Sequence, residues 1–310
     1  MRTLLPFFSF IMRISIISLM LFTSIQSTQA VAMDKRTFVH IVPPGKNAFQ
    51  LVIVNTEASS SQYNASGQLQ TKVDNLSLVT RAIARFSVTK NLEFAVEIPY
   101  LLKREQDRTT TKDGTKSTFD SEGLGDADVQ LTWQARDSRK GGLGLIAGAE
   151  LKFPTGDKDR GLGSDTWDTS LRSTLSYGTS VGFPYIMAIY TETGSTTVDG
   201  IRTDPSDDLY LAAGLKSRFW HKFGFNFTVY KYIGISEAIS ANNGSLVFTE
   251  KNDTQGWKLY GRYLISKALE WDIFYEHINP ENHSATVNNM VFSKQPEDKK
   301  RFGTMIKYFW

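Results

Sequence analysis

Period-two alternation of apolar and polar residues, recurring in segment after segment, is the feature that most constrains this chain. From residue 92 to 102 one parity carries Leu92, Phe94, Val96, Ile98, Tyr100 and Leu102, while Glu93, Glu97 and Lys103 take the other. Leu269, Trp271, Ile273 and Tyr275 oppose Glu270, Asp272 and Glu276; Trp257, Leu259, Tyr263 and Ile265 oppose Lys258 and Arg262. The same dyad runs through residues 209–219, with Lys216 and Arg218 on the polar side, and through residues 143–153, with Glu150 and Lys152. Successive side chains leave a strand on opposite faces, so this period is that of β-structure. Helical periodicity is nearly absent, and the fold class is all-β.

Alternation suits a soluble sandwich as well as a membrane barrel, and three features separate them. Aromatics end the apolar faces at Tyr100, Trp133, Phe153, Trp167, Tyr177, Phe219 and Trp271, as girdles at two membrane interfaces do. Connections alternate between short (89–91, 137–142, 178–183, 220–223, 266–268) and long (57–70, 105–125, 155–165, 194–207, 236–253, 279–299), the pattern of periplasmic turns and external loops. In the last segment Phe302, Thr304, Ile306, Tyr308 and Trp310 share one face, and Phe302, Ile306, Tyr308 and Trp310 resemble the signal that outer-membrane barrels present to their assembly machinery. Trp310 stands where that signal usually has Phe.

The expected architecture is therefore a transmembrane antiparallel up-and-down β-barrel of about 12 strands. Its strands fall near 47–58, 71–88, 91–103, 125–137, 142–154, 165–178, 183–194, 206–220, 223–236, 254–266, 268–279 and 299–310. Ten is the alternative count, because residues 49–55 alternate weakly. Closure is required, since no backbone amide can stay unpaired in hydrocarbon.

Arg2 and Arg13 precede a charge-free apolar stretch at residues 14–25, and Ala30-x-Ala32 follows, the pattern of a secretory signal peptide over residues 1–32. The apolar core is shorter than the roughly 20 residues a membrane helix needs. Residues 33–46 then form a periplasmic N-terminal segment and 47–310 the barrel, in the outer membrane of a Gram-negative bacterium. Removing the leader takes away two arginines and no acid, which lowers the formal charge from +3 to about +1 and implies no nucleic-acid partner. The absence of cysteine excludes disulfides, thiolate metal sites and a lipidated N-terminal cysteine.

By parity the lumen receives Glu93, Glu97, Asp128, Gln130, Gln134, Glu150, Lys152, Asp168, Arg172, Lys216, Arg218, Lys258, Arg262, Glu270, Asp272, Glu276, Arg301 and Lys307. Both signs are abundant, so these side chains either close the lumen as a network or line a narrow polar pore. Mixed signs argue against strong ion selectivity. No catalytic residue, cofactor or metal is expected: His277 is the best placed of four histidines but has no serine beside it, and Asp157-x-Asp159-x-Gly161 lacks the later glutamate of a calcium loop.

Gly123-Leu124-Gly125-Asp126 enters one strand, Leu151-Lys152-Phe153-Pro154-Thr155-Gly156-Asp157 leaves the next, and Gly161-Leu162-Gly163-Ser164 precedes Trp167. These motifs resemble the outer-membrane family named for the meta-cleavage pathway of phenol degradation, most clearly over residues 90 to 180. The resemblance implies transport of small, hydrophobic or aromatic molecules. Read as residues, the glycines and Pro154 shape the rims of two external loops. A second reading makes Pro154, Thr155, Gly156, Asp157, Gly161 and Gly163 a gate. The expected function is passive uptake of small solutes, with outer-membrane lipid and the assembly machinery as partners. An outer-membrane hydrolase, or a structural or surface-interaction barrel with a closed lumen, is the alternative.

Overall fold

A computed structural model describes residues 40–64, 66–110, 114–198, 201–235, 238–242, 245–250, 253–281, 283–287 and 290–310; the expected signal peptide lies outside the described residues. The wall begins with β1 (Asn47–Tyr63), β2 (Leu69–Thr89) and β3 (Leu92–Thr110). Its fourth strand is β4 (Lys116–Leu124) continued by β5 (Ala127–Arg136), interrupted where Gly125 donates its N–H to the Pro99 carbonyl. Then come β6 (Gly142–Phe153), β7 (Asp168–Gly178) and β8 (Gly182–Thr193). The short β9 (Thr196–Val198) and β10 (Ile201–Asp204) precede β11 (Asp208–Ser217) and β12 (Phe223–Gly234), and β13 (Ala238–Asn242) with β14 (Ser245–Glu250) precede β15 (Thr254–Leu264) and β16 (Leu269–Pro280). The hairpin of β17 (His283–Val287) and β18 (Met290–Pro296) leads to β19 (Lys299–Phe309).

Twelve antiparallel strands close on themselves. The seam joins β1 to β19, from Ala48 opposite Phe309 to Glu57 opposite Lys300, and Asn47 N–H donates to the Trp310 carbonyl at 2.9 Å. β1, expected to be the least secure strand, runs for 17 residues. Much of the sequence expected to be long external loop continues the strands instead. β1, β2, β3 and β4 extend past the membrane, and the extensions pair with β18, β17, β14, β13, β10 and β9 into a collar. Among the described residues the collar has no strand between β4 and β9, and residues 154–167 border that gap.

Burial alternates along nearly every wall strand. Leu51 and Ile53 of β1, Leu131 and Trp133 of β5, Leu171 and Leu175 of β7, Phe225 and Phe227 of β12, and Ile306 and Tyr308 of β19 are exposed on the outside, an apolar belt for lipid. Their neighbours in sequence face inward and are buried or half-buried. Three inward glycines are covered by a ring from an adjacent strand: Tyr185 over Gly214, Tyr230 over Gly256 and Phe274 over Gly303, each so close that a Cβ would lie 2.4 to 2.7 Å from the nearest ring atom. These rings lie flat along the wall instead of projecting across the lumen.

Among the residues assigned to a face by parity, the assignment fails at the end of β11 and in β3. β11 ends at Ser217, so Phe219 does not join the lipid-facing belt; its ring lies 4.5 Å beneath the inward Arg262 guanidinium. Between Leu101 and Arg104 the register of β3 against β4 shifts, and Lys103 is left outside, 2.8 Å from Glu105.

Candidate functional site: the barrel lumen and its mouths

Two arcs of ion pairs line the lumen. On one side Arg85 grips Glu93 with a two-pronged contact, Nε to Oε1 at 2.8 Å and Nη2 to Oε2 at 2.9 Å. Arg81 Nε lies 3.8 Å from Glu97 Oε1, and Glu150 Oε2 receives Gln130 Nε2 at 3.0 Å and Arg172 Nη2 at 3.4 Å. On the other side Arg262 Nη2 donates to Glu270 Oε1 at 3.0 Å, while Lys307 bridges Glu270 at 2.8 Å and Asp272 at 2.6 Å. Glu276 accepts from Tyr230 Oη at 2.8 Å and Arg301 Nη1 at 3.3 Å, with Lys258 Nζ 3.9 Å away. Removed from bulk water, each of these charges needs its partner.

Most of the sequence-derived lumen set is thus brought together across neighbouring strands; Asp128 and Gln134 are also buried on the inner face, and Lys216 lies half-buried there. Arg218 is the exception. It lies beyond the end of β11, its guanidinium 4.6 Å above the Phe183 ring and its Nε donating to the Thr179 carbonyl at 2.8 Å.

Between the arcs runs a wall without charge. Phe183, Tyr185, Met187 and Ile189 of β8, Tyr210 and Ala212 of β11, Tyr230 and Tyr232 of β12 and Ile278 of β16 form one buried cluster. Sequence reading missed it because inward tyrosines and aliphatics carry no polar mark on the polar parity.

At the turn end the N-terminal segment enters the barrel. Ile41 and Val42 are buried, Val42 N–H donates to Glu93 Oε2 at 2.6 Å, and Ile41 N–H reaches Gln134 Oε1 at 3.4 Å. His40 hydrogen-bonds Ser138 Oγ at 3.0 Å and sets its ring edge-on to Phe183. Burial, with Lys216, Arg139 and Arg262 nearby, pushes its pKa down to about 2, so the imidazole is neutral. Of the other histidines, His277 Nε2 lies 3.3 Å from Asp298 Oδ2 and packs near Trp257, His221 is exposed beside Trp220, and the backbone of His283 opens β17.

At the opposite mouth the three motifs of the sequence fold onto one carboxylate. Asp126 Oδ1 accepts the Gly156 N–H at 3.0 Å, and its Oδ2 accepts both the N–H and the hydroxyl of Ser164 at 2.8 Å. The inward Lys152 joins them, bonding Ser164 Oγ at 2.7 Å and pairing with Asp168. Thr155 Oγ1 accepts from Ala127 N–H and donates to the Gly125 carbonyl, and Arg104 donates to the Gly161 carbonyl at 2.8 Å. Gly156 and Gly163 pack backbone to backbone, and a Cβ on Gly156 would lie 2.6 Å from the Leu162 carbonyl oxygen. The residues read as rim or gate, Pro154, Thr155, Gly156, Asp157, Gly161 and Gly163, therefore belong to one loop latched to the lumenal rim. Asp126→Ala strips two loop amides of their acceptor, and we expect amide exchange at Gly156 and Ser164 to accelerate by about tenfold or more, since a hydrogen bond to a charged group contributes about 1.5–3 kcal/mol. Unchanged protection at both amides, followed by mass spectrometry, would show that Asp126 does not hold the loop.

The barrel is similar to the COG4313 outer membrane channel of Pseudomonas putida F1, with a TM-score of 0.60 at 12% identity, covering 90% of this chain and 98% of that one. It also aligns with a Pseudomonas aeruginosa FadL homologue (TM-score 0.47, 7% identity, 85% and 90% covered) and with the outer membrane protease OmpT of Escherichia coli (TM-score 0.39, 10% identity, 88% and 99% covered). No curated protein matches the sequence. The likeness to the Pseudomonas putida channel establishes the fold, a bacterial outer-membrane barrel. Residues 55–288 match the family described as "Putative MetA-pathway of phenol degradation", so the motifs gathered around Asp126 have the origin their sequence suggested: the chain belongs to that family.

Proposed function

We propose that the protein is a passive route for hydrophobic, including aromatic, solutes across the outer membrane, and not an open aqueous pore. The observation that carries this reading is the division of the lumen: its charges are largely spent on one another in two arcs, while the surface left between them is tyrosine, phenylalanine and aliphatic. An apolar wall rewards contact with an apolar solute. The matched Pseudomonas putida structure is itself a channel, which supports the reading by analogy of fold. Ile41 and Val42, held in the lumen by Glu93 and Gln134, narrow the periplasmic mouth against water-filled flow. Diffusion down a gradient needs no covalent chemistry, and the lipid-facing belt is the contact with the surrounding membrane.

The test is entry of N-phenyl-1-naphthylamine into vesicles that carry lipopolysaccharide in the outer leaflet, with and without the refolded protein. Faster entry with protein, together with unchanged swelling in arabinose, is the expected result. Equal probe entry in both preparations would overturn the proposal, and rapid arabinose swelling would replace it with a general pore.

A further inference from the structure

Two lysines in the lumen have no carboxylate of their own. The lumenal cations Arg81, Arg85, Arg172, Lys258, Arg262 and Arg301 on the membrane-spanning strands each lie within ion-pair distance of Glu93, Glu97, Glu150, Glu270 or Glu276. The side-chain ammonium groups of Lys216 and Lys299, on the inward parity of β11 and β19, have no ion-pair or hydrogen-bond partner among the described residues. The carboxylates near Lys216 are Glu270 and Asp272, already held by Arg262 and Lys307, and Arg262 and Lys307 themselves stand close by. The carboxylate near Lys299 is Glu276, already held by Arg301 and Tyr230, with Arg104 adding a further positive charge. Unspent charge at both places is positive. Both side chains keep partial contact with solvent although protein encloses them, whereas Arg262, Glu270, Asp272 and Arg301 are sealed.

The two lysines bracket the uncharged wall. Lys299 is the register partner of Ile278 at the wall's external end, and Lys216 is the register partner of Phe183 at its periplasmic end. Lys216 lies six residues beyond Tyr210 on β11, roughly 20 Å at strand rise. Between them the ring of Tyr185 lies flat over Gly214 and that of Tyr230 over Gly256, which keeps their bulk against the wall.

We propose that the solute is an amphiphile with a hydrophobic body and an anionic carboxylate head, met first by Lys299 at the external end and then by Lys216 near the N-terminal segment, with its body on the tyrosine wall. This deepens the uptake reading and rests on it. A carboxylate supplies the missing counter-charge at either lysine, and an ammonium head would meet uncompensated positive charge at both.

Equilibrium dialysis with the refolded mature chain in non-ionic micelles tests it, using 4-phenylbutyrate and the neutral 4-phenyl-1-butanol, which share one body. The wild type should bind the carboxylate more tightly than the alcohol. Lys216→Met and Lys299→Met should each weaken carboxylate binding about tenfold, the scale of one charge-assisted hydrogen bond. Alcohol binding should stay unchanged, which also reports that each variant is folded, and Lys216→Arg should restore the preference. If carboxylate and alcohol bind alike and neither variant separates them, the head-group sites are wrong while the uptake reading stands. If neither ligand binds to a heat-modifiable barrel, the uptake reading fails and the head-group assignment goes with it.

Discussion

Glu276→Leu should destabilise the folded barrel by about 3–5 kcal/mol, the cost of removing one partner from a buried ionic cluster. Glu276 is the anion shared by Arg301, Lys258 and Tyr230, and only 2% of its surface is exposed. Leucine fills a similar volume but removes the anion that the guanidinium of Arg301 and the ammonium of Lys258 share in an enclosed lumen. Glu276→Gln keeps an acceptor for the Tyr230 hydroxyl while removing the charge, so its effect should fall between wild type and Glu276→Leu. Urea unfolding in phospholipid vesicles, followed by tryptophan fluorescence, measures both. A loss below about 1 kcal/mol for Glu276→Leu, the scale of an exposed ion pair, would mean that water reaches the cluster and screens it.

Ile273→Arg, three residues earlier on the same strand, should cost about 2–4 kcal/mol for the opposite reason, by placing a charge in hydrocarbon near mid-membrane. Ile273 is 43% exposed and sits on the outer face of β16, between inward Asp272 and Phe274. In detergent micelles, where the long side chain can reach water, the penalty should shrink; in bilayers it should persist. Equal stability of Ile273→Arg and wild type in bilayers would place this face away from lipid and undo the assignment of inside and outside along β16. Polar atoms are thus tolerated at positions 272 and 276 and excluded at 273, because one peptide step reverses the solvent a side chain meets.

That same step explains what could be read in the sequence. Within the membrane every residue faces either lipid or lumen, so alternation marks strands such as Leu269–Pro280 and assigns Glu270, Asp272 and Glu276 to the lumen before any coordinates are known. Outside the membrane both faces of a strand meet water, and the mark disappears. Residues 105–110 and 116–124 are strand, yet Glu105, Asp107, Thr109, Lys116, Thr118 and Asp120 give no apolar face to detect. Arg218 and Phe219 were misplaced because parity has no meaning once β11 ends at Ser217. The glycines of the 123–126, 154–157 and 161–164 motifs announced tight backbone geometry, but the role of Asp126 in joining those segments depends on bringing together residues 30 and 38 positions apart. The contact of His40 with Ser138 spans 98 positions and left no local trace.

The seam between β1 and β19 also sets the order of events in folding. Asn47 and Trp310 exchange backbone hydrogen bonds across nearly the whole length of the barrel sequence, so this pairing closes the largest loop in the molecule and has the greatest entropic cost to form. Hairpins such as β15–β16 can assemble from near neighbours, but the seam must wait for its two edges to meet. Until then β1 and β19 are both open templates, and the competitor for each is the same edge on another copy of the chain. Refolding yield should therefore fall as protein concentration rises, even where the closed barrel, once formed, is equally stable.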